Sequence, residues 1–177
     1  MRITSIKQQV KNQERVSIFV DGKYEFSLSL DELVKYKLKN GQEFDKTDLK
    51  KFKKISEDGK LRMRSLEWLM NRPHSEREFR DYLYRKKAEP EQIDSLVAEF
   101  TEKGYLDNEK FAQWFTELQA RRGKSDRAIR AELFKKGIGR EMADEAVPEH
   151  SGDEVERLKR TIEKKKIAEK IENTTWL

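Results

Sequence analysis

The residues best suited to chemistry in this 177-residue chain are cations, and the chemistry they offer is anion binding. Seven lie between Arg121 and Lys136 (Arg121, Arg122, Lys124, Arg127, Arg130, Lys135 and Lys136), against Asp126 and Glu132. That local surplus of five equals the net charge of the chain, so the remaining charges sum to zero. A weaker cluster precedes it, with Arg72, Arg77, Arg80, Arg85, Lys86 and Lys87 against Glu76, Glu78 and Asp81. Cations grouped in this way attract nucleic-acid phosphate or an acidic protein groove. The competing account of any charge run is a solvated, ion-paired helix face, and it fits the first cluster better than the second. Base reading calls for Arg, Asn or Gln at consecutive base-facing positions. Arg127 and Arg130 are there without Asn or Gln, so phosphate contact is expected rather than sequence reading. Tyr82 and Tyr84 are candidate platforms for stacked bases, although Tyr84 aligns with Phe134 and is expected in the core.

Catalysis has little to work with. His74 stands just before Ser75 and His150 lies in a linker, and neither adjoins a nucleophile or a second ligand at metal-site spacing. The Asp and Glu residues recur at helix-surface steps beside Lys or Arg, the pattern of surface ion pairs. With no cysteine, disulfides and thiolate metal sites are excluded, which fits a reducing cytoplasm. No apolar run approaches the roughly 20 residues of a membrane span, and none follows the N-terminus as in a secretory signal. The expectation is a cytoplasmic, non-enzymatic protein with no cofactor, metal, membrane partner or small-molecule substrate. Charged residues make up 41% and hydrophobic ones 35%, a balance that leans toward disorder. Three Trp, five Tyr and nine Phe at regular positions argue for a folded chain instead.

The elements that must hold the cations are helices. From Leu61 to Val147 apolar residues fall at three- and four-residue steps. A shift of fifty residues lays Ser75–Lys87 over Ser125–Gly137 without a gap, matching Arg77/Arg127, Phe79/Ile129, Arg80/Arg130, Leu83/Leu133 and Lys86/Lys136. The same register pairs Arg72/Arg122, Asp94/Asp144 and Val97/Val147, so the chain contains a tandem repeat. Each unit reads as three helices: about Lys60–Asn71, Ser75–Lys87 and Pro90–Lys103, then Asn108–Arg121, Ser125–Lys136 and Gly139–Val147. Ser75 with Glu78 has capping-box form, Pro90 suits a first turn, and Gly104 suits the position after a helix. A further helix-like stretch, Asp153 to Ile171, reads as the start of a third unit whose remainder is missing.

The N-terminal residues differ. Val16, Ile18 and Val20 alternate with polar or outward positions, as do Tyr24, Phe26 and Leu28, and Asp21-Gly22 between them signals a two-residue hairpin turn. Arg2 to Val10 is a weaker candidate third strand. Ser29 and Glu32 form another capping box, opening a helix with Leu30, Leu33, Val34 and Leu38 on one face until Gly41. A short helix after Thr47 then carries Leu49, Phe52 and Ile55 and ends near Gly59. The reading is therefore mainly α, with tandem three-helix repeats and a small N-terminal β-hairpin-containing module. Its divisions are 1–59 (hairpin and short helices), 60–106 (first repeat), 107–150 (second repeat) and 151–177 (first helix of an incomplete third repeat, and tail).

Three stretches carry a resemblance. Pro73 to Leu83, the run EKGYLDNEKFA from Glu102 to Ala112, and ARRGKSDRAIRAELFKKGI from Ala120 to Ile138 together resemble the RecX family, the bacterial regulators of the RecA recombinase. The resemblance covers roughly Lys60 to Val147, and the strand-rich lead-in also resembles a variant found in the family. It implies tandem three-helix repeats, no catalysis, and binding along the RecA–DNA filament with inhibition of strand exchange, ATP hydrolysis and co-protease activity. Placement of charge, separately, points to Arg121, Arg122, Lys124, Arg127, Arg130, Lys135 and Lys136 as the partner surface, with Arg77, Arg80, Arg85 and Lys86 as a second patch. The alternative is an autonomous binder of single- or double-stranded DNA using the same helices.

Overall fold

The computed structural model describes residues 1–147 and, beyond them, Lys159, Ile162 and Glu163. The expected third-repeat helix and the tail to Leu177 otherwise lie outside the described residues. The chain divides into two compact units, Met1–Glu67 and Trp68–Leu177.

Strand alternation builds the first unit. In β2 (Arg15–Val20), Val16, Ile18 and Val20 share one face and are buried. β1 (Ile3–Gln8) and β3 (Lys23–Ser29) flank it in an antiparallel sheet of order β1-β2-β3, so Arg2 to Val10 does supply the third strand. Asp21 and Gly22 make the turn with φ of 48° and 80°, the left-handed pair a two-residue hairpin requires. Val16 pairs with Leu28 and Ile18 with Phe26, and these four are buried on one face; the register shifts at Phe19, and Tyr24 is left half exposed.

The helix after the sheet is shorter than the expected run to Gly41. Helix α1 (Leu30–Lys35) opens on the capping box: the Glu32 amide donates to Ser29 Oγ at 3.1 Å, and the Ser29 amide donates to the Glu32 carboxylate at 2.7 Å. It ends after six residues and buries none of them; Val34 is 74% exposed. Lys37 follows with φ of 51°, a left-handed conformation that a right-handed helix does not continue through. The cover comes from Leu38, Phe44 and Phe52, and the Phe52 ring stacks on Phe26 at 5.7 Å.

Helix α2 (Lys46–Met70) runs unbroken through Gly59, where the sequence reading ended one helix and began the next. An interior glycine costs a helix about 1 kcal/mol relative to alanine. A Cβ at residue 59 would lie 2.8 Å from Glu32 Oε1, so a side chain there would displace the capping carboxylate. Gly59 marks a close approach of the α1 capping carboxylate, not a helix end.

In the second unit α3 (Glu76–Arg85) and α4 (Pro90–Glu102) follow the end of α2, and α5 (Asn108–Arg121), α6 (Asp126–Lys135) and α7 (Arg140–Ala146) complete the second three-helix repeat. The fifty-residue register holds in the core, where Phe79/Ile129, Leu83/Leu133, Ile93/Ala143 and Val97/Val147 are all buried. Ser75 and Ser125 accept the amides of Glu78 and Ala128, capping α3 and α6 alike. Pro90 opens α4, and Gly104 follows its end with φ of 71°.

Two aromatic positions overturn the expectation. Tyr84 and its repeat partner Phe134 are 58% and 45% exposed, not core. Ile129 and Leu133 take the buried stripe at a four-residue step, and the next residue is turned by about 100° away from it. Tyr82, in contrast, is buried against Trp68 with ring centroids 4.6 Å apart, which removes it as a stacking platform.

Candidate functional site

The cations singled out by charge divide into those held by neighbouring carboxylates and those left free. Arg80 is held twice, its Nε 2.7 Å from Glu76 and its Nη1 2.7 Å from Asp94 on α4. Those two carboxylates, Asp94 foremost, keep its guanidinium pKa above the ordinary arginine value. Arg130 makes the equivalent tie in the second repeat, with Nε 3.0 Å from Asp144 on α7 and a further donation to the Val147 carbonyl. Both residues therefore brace the middle helix of a repeat against the third. Lys124 reaches Glu132 at 2.5 Å, and Arg121 lies 3.4 Å from Glu117 on an open surface. Lys86 has its ammonium 5.5 Å from the Tyr82 ring.

Lys136 has a different task. Its Nζ lies 2.6 Å from Glu78 Oε1, joining α6 to α3 across the two repeats. Glu78 was expected to close the Ser75 capping box; instead its carboxylate collects Arg72 at 3.0 Å and His74 Nδ1 at 3.3 Å as well as Lys136. Burial by itself would raise the Glu78 pKa. The hydrogen bonds from His74, Arg72 and Lys136 outweigh that and hold it well below the usual carboxylate range. His74 is buried, with its ring stacked 3.5 Å from Trp68 and its Nε2 3.2 Å from the Trp68 carbonyl oxygen. Arg72 also lies over the Trp114 ring of α5 at 5.2 Å. Nearby, a Cβ at Gly137 (φ +80°) would meet Arg77 Cβ at 2.9 Å, so the stem of α3's Arg77 packs on the end of α6. Sequence reasoning missed this junction because Lys136 lies 58 residues from Glu78 and no local pattern links them.

Free cations remain. Arg77, Arg85, Arg122, Arg127 and Lys135 are exposed and form no ion pair among the described residues. Four of them are repeat partners, Arg77 with Arg127 and Arg85 with Lys135. Each middle helix therefore presents one cation near its start and another eight residues on, a separation of about 12 Å along the axis. Phe134 and Tyr84 stand exposed beside Lys135 and Arg85. Among the described residues no group of three His, Cys, Asp or Glu is set to hold a metal ion. None of the described helices is long and apolar enough to cross a membrane.

Comparison with known proteins gives two family matches along the chain. Residues 1–45 match the description "Regulatory protein RecX N-terminal domain", and residues 107–147 match "RecX, second three-helix domain". Regulatory protein RecX of Listeria innocua is 34% identical over 154 residues, which is 86% of this chain and 57% of that protein. The chain belongs to the RecX family. Its Bacillus subtilis relative, also named Regulatory protein RecX, is 34% identical over 156 residues, 88% of this chain and 59% of that one. The chain thus spans less than two thirds of the length of these RecX relatives. A crystal structure of a regulatory protein RecX shares the fold, with a TM-score of 0.71 at 22% identity over 99% of this chain and 86% of the other. The N-terminal RecX match takes in the sheet and α1, and the second takes in α5 to α7 with Arg122, Arg127 and Lys135.

Proposed function

We propose that this chain is a non-enzymatic cytoplasmic regulator that binds the RecA–DNA filament and restrains strand exchange, ATP hydrolysis and co-protease activity. The reading rests on family membership for the partner and on one structural observation for the means. That observation is the recurrence of the same free cation pair, Arg77 with Arg85 and Arg127 with Lys135, at matching positions of successive repeats. A filament presents one surface again and again, so a partner built of repeats engages it at more than one place. Two linked contacts then add through effective concentration, and modest single affinities suffice. The ion-paired residues Arg80, Arg130 and Lys136 keep the repeats in shape, and the free ones meet the anionic partner.

The test is DNA-dependent ATP hydrolysis by the cognate RecA while the protein is titrated in at low molar ratio. Inhibition well below saturation of the DNA is the expected result. Replacing Arg127 and Lys135 by Glu should weaken that inhibition at least tenfold, with an unchanged helical circular dichroism signal. Wild-type protein that has no effect until it covers the DNA would sink the regulator reading in favour of simple competition for nucleic acid.

A further inference from the structure

The balance of charge, taken unit by unit, moves attention to the other end of the chain. Lys and Arg outnumber Asp and Glu by five within Met1–Glu67, and the two classes are equal from Trp68 onward. The surplus around α6 is thus cancelled inside its own unit, whereas that of the N-terminal unit stands uncompensated. It is also concentrated: between Lys35 and Lys54 there are eight lysines and three carboxylates.

Those carboxylates are engaged elsewhere or too few. Asp45 Oδ1 accepts the amides of Thr47 and Asp48 at 2.7 and 2.8 Å, capping α2, and Asp48 accepts the Asp45 amide in return at 3.4 Å. Among the described residues, only Lys53 of the eight forms an ion pair, with Glu25 at 2.5 Å. Lys46, Lys50 and Lys54 are exposed at four-residue steps of α2 and have no ion pair among the described residues. They form one row about 12 Å long. Beside it, the ammonium groups of Lys35 and Lys51 both approach the Tyr36 ring, at 5.7 and 5.9 Å. The ring is fixed edge-on against Phe52, and neither ammonium group at it forms an ion pair among the described residues.

We propose that this lysine face of the N-terminal module is a second, sequence-independent site for the phosphate backbone of a nucleic acid, distinct from the cation pairs of the repeats. Lysine serves as a compact point charge for phosphate and lacks the planar fork that reads a guanine edge. A row of evenly stepped charges suits a partner whose own charges are evenly stepped. The apolar residues of α2 at this level, Leu49, Phe52 and Ile55, pack into the core and leave no wedge to enter a bilayer.

The experiment measures binding of the full chain to a labelled 30-nucleotide oligothymidylate and to a 30-base-pair duplex by fluorescence anisotropy, across a salt series. Lys46→Glu/Lys50→Glu/Lys54→Glu should weaken binding at low salt by at least about tenfold. Lys46→Gln/Lys50→Gln/Lys54→Gln should reduce the slope of log affinity against log salt by about three. The glutamine variant carries no new charge, so it answers the question if the glutamate variant is misfolded. Wild-type affinity and slope in the glutamine variant would overturn the proposal. So would loss of binding confined to Arg127→Glu/Lys135→Glu, or wild-type protein that ignores both oligonucleotides and binds polyglutamate or anionic vesicles instead. The RecA assay reads the repeats separately, so either proposal can fail without the other.

Discussion

Lys87 and Gly137 occupy the same position in successive repeats, one residue beyond the cap of the middle helix, and both have left-handed backbones, φ 60° and 80°. Glycine adopts that conformation freely, whereas a side chain bears a cost of about 1–2 kcal/mol. Lys87→Gly should therefore stabilise the protein, by about 0.5–1 kcal/mol once glycine's greater freedom in the unfolded chain is subtracted. A rise of about 1–4 °C in thermal midpoint would register it. The glycine at 137 has a second duty that no local signal announces. Only the fold brings Arg77 under residue 137, where any Cβ collides.

At the scale of the element, the helices of the second repeat and the hairpin followed from period, caps and turn residues, because those signals act within a few residues. Helix α2 did not. Gly59 carried the mark of a boundary, yet α1's Glu32 carboxylate fills the space a side chain there would need, and the helix continues. Helix α6 shows the same limit for function. Its Arg127 and Arg130 look alike in the sequence, but Arg130 braces α6 against Asp144 of α7 while Arg127 has no ion pair among the described residues. Arg130→Ala should cost about 1–3 kcal/mol in urea unfolding, and Arg127→Ala should stay within about 0.5 kcal/mol of wild type. Equal effects on stability would contradict this division of labour.

At the scale of the whole molecule, the join between repeats rests on Glu78, which Arg72, His74 and Lys136 surround. Its folded pKa lies below the ordinary glutamate value of 4.5, so ionised Glu78 stabilises the folded state. That contribution is complete above about pH 5, shrinks as pH falls below 4.5, and disappears once the folded-state carboxylate itself is protonated. Glu78→Gln should accordingly destabilise the protein by about 1.5–3 kcal/mol at neutral pH. The gap between variant and wild type should narrow steadily between pH 4.5 and pH 3 in urea titrations. A gap independent of pH over that range would show that the carboxylate's charge does not secure the junction.

By itself the sequence determined the mainly helical class, the three-helix repeat and its register, the hairpin, and the presence of a cationic surplus, since composition and short-range periodicity encode all of these. Tertiary structure alone decided which cations are free. A cation's partner is chosen by whichever carboxylate the fold brings within about 3 Å: Asp94 and Asp144 lie 14 residues from Arg80 and Arg130, and Glu78 lies 58 residues from Lys136. It decided, too, that Tyr84 and Phe134 face solvent and that Lys35 and Lys51 meet at the Tyr36 ring with no ion pair among the described residues, because exposure and pairing are properties of the packed chain.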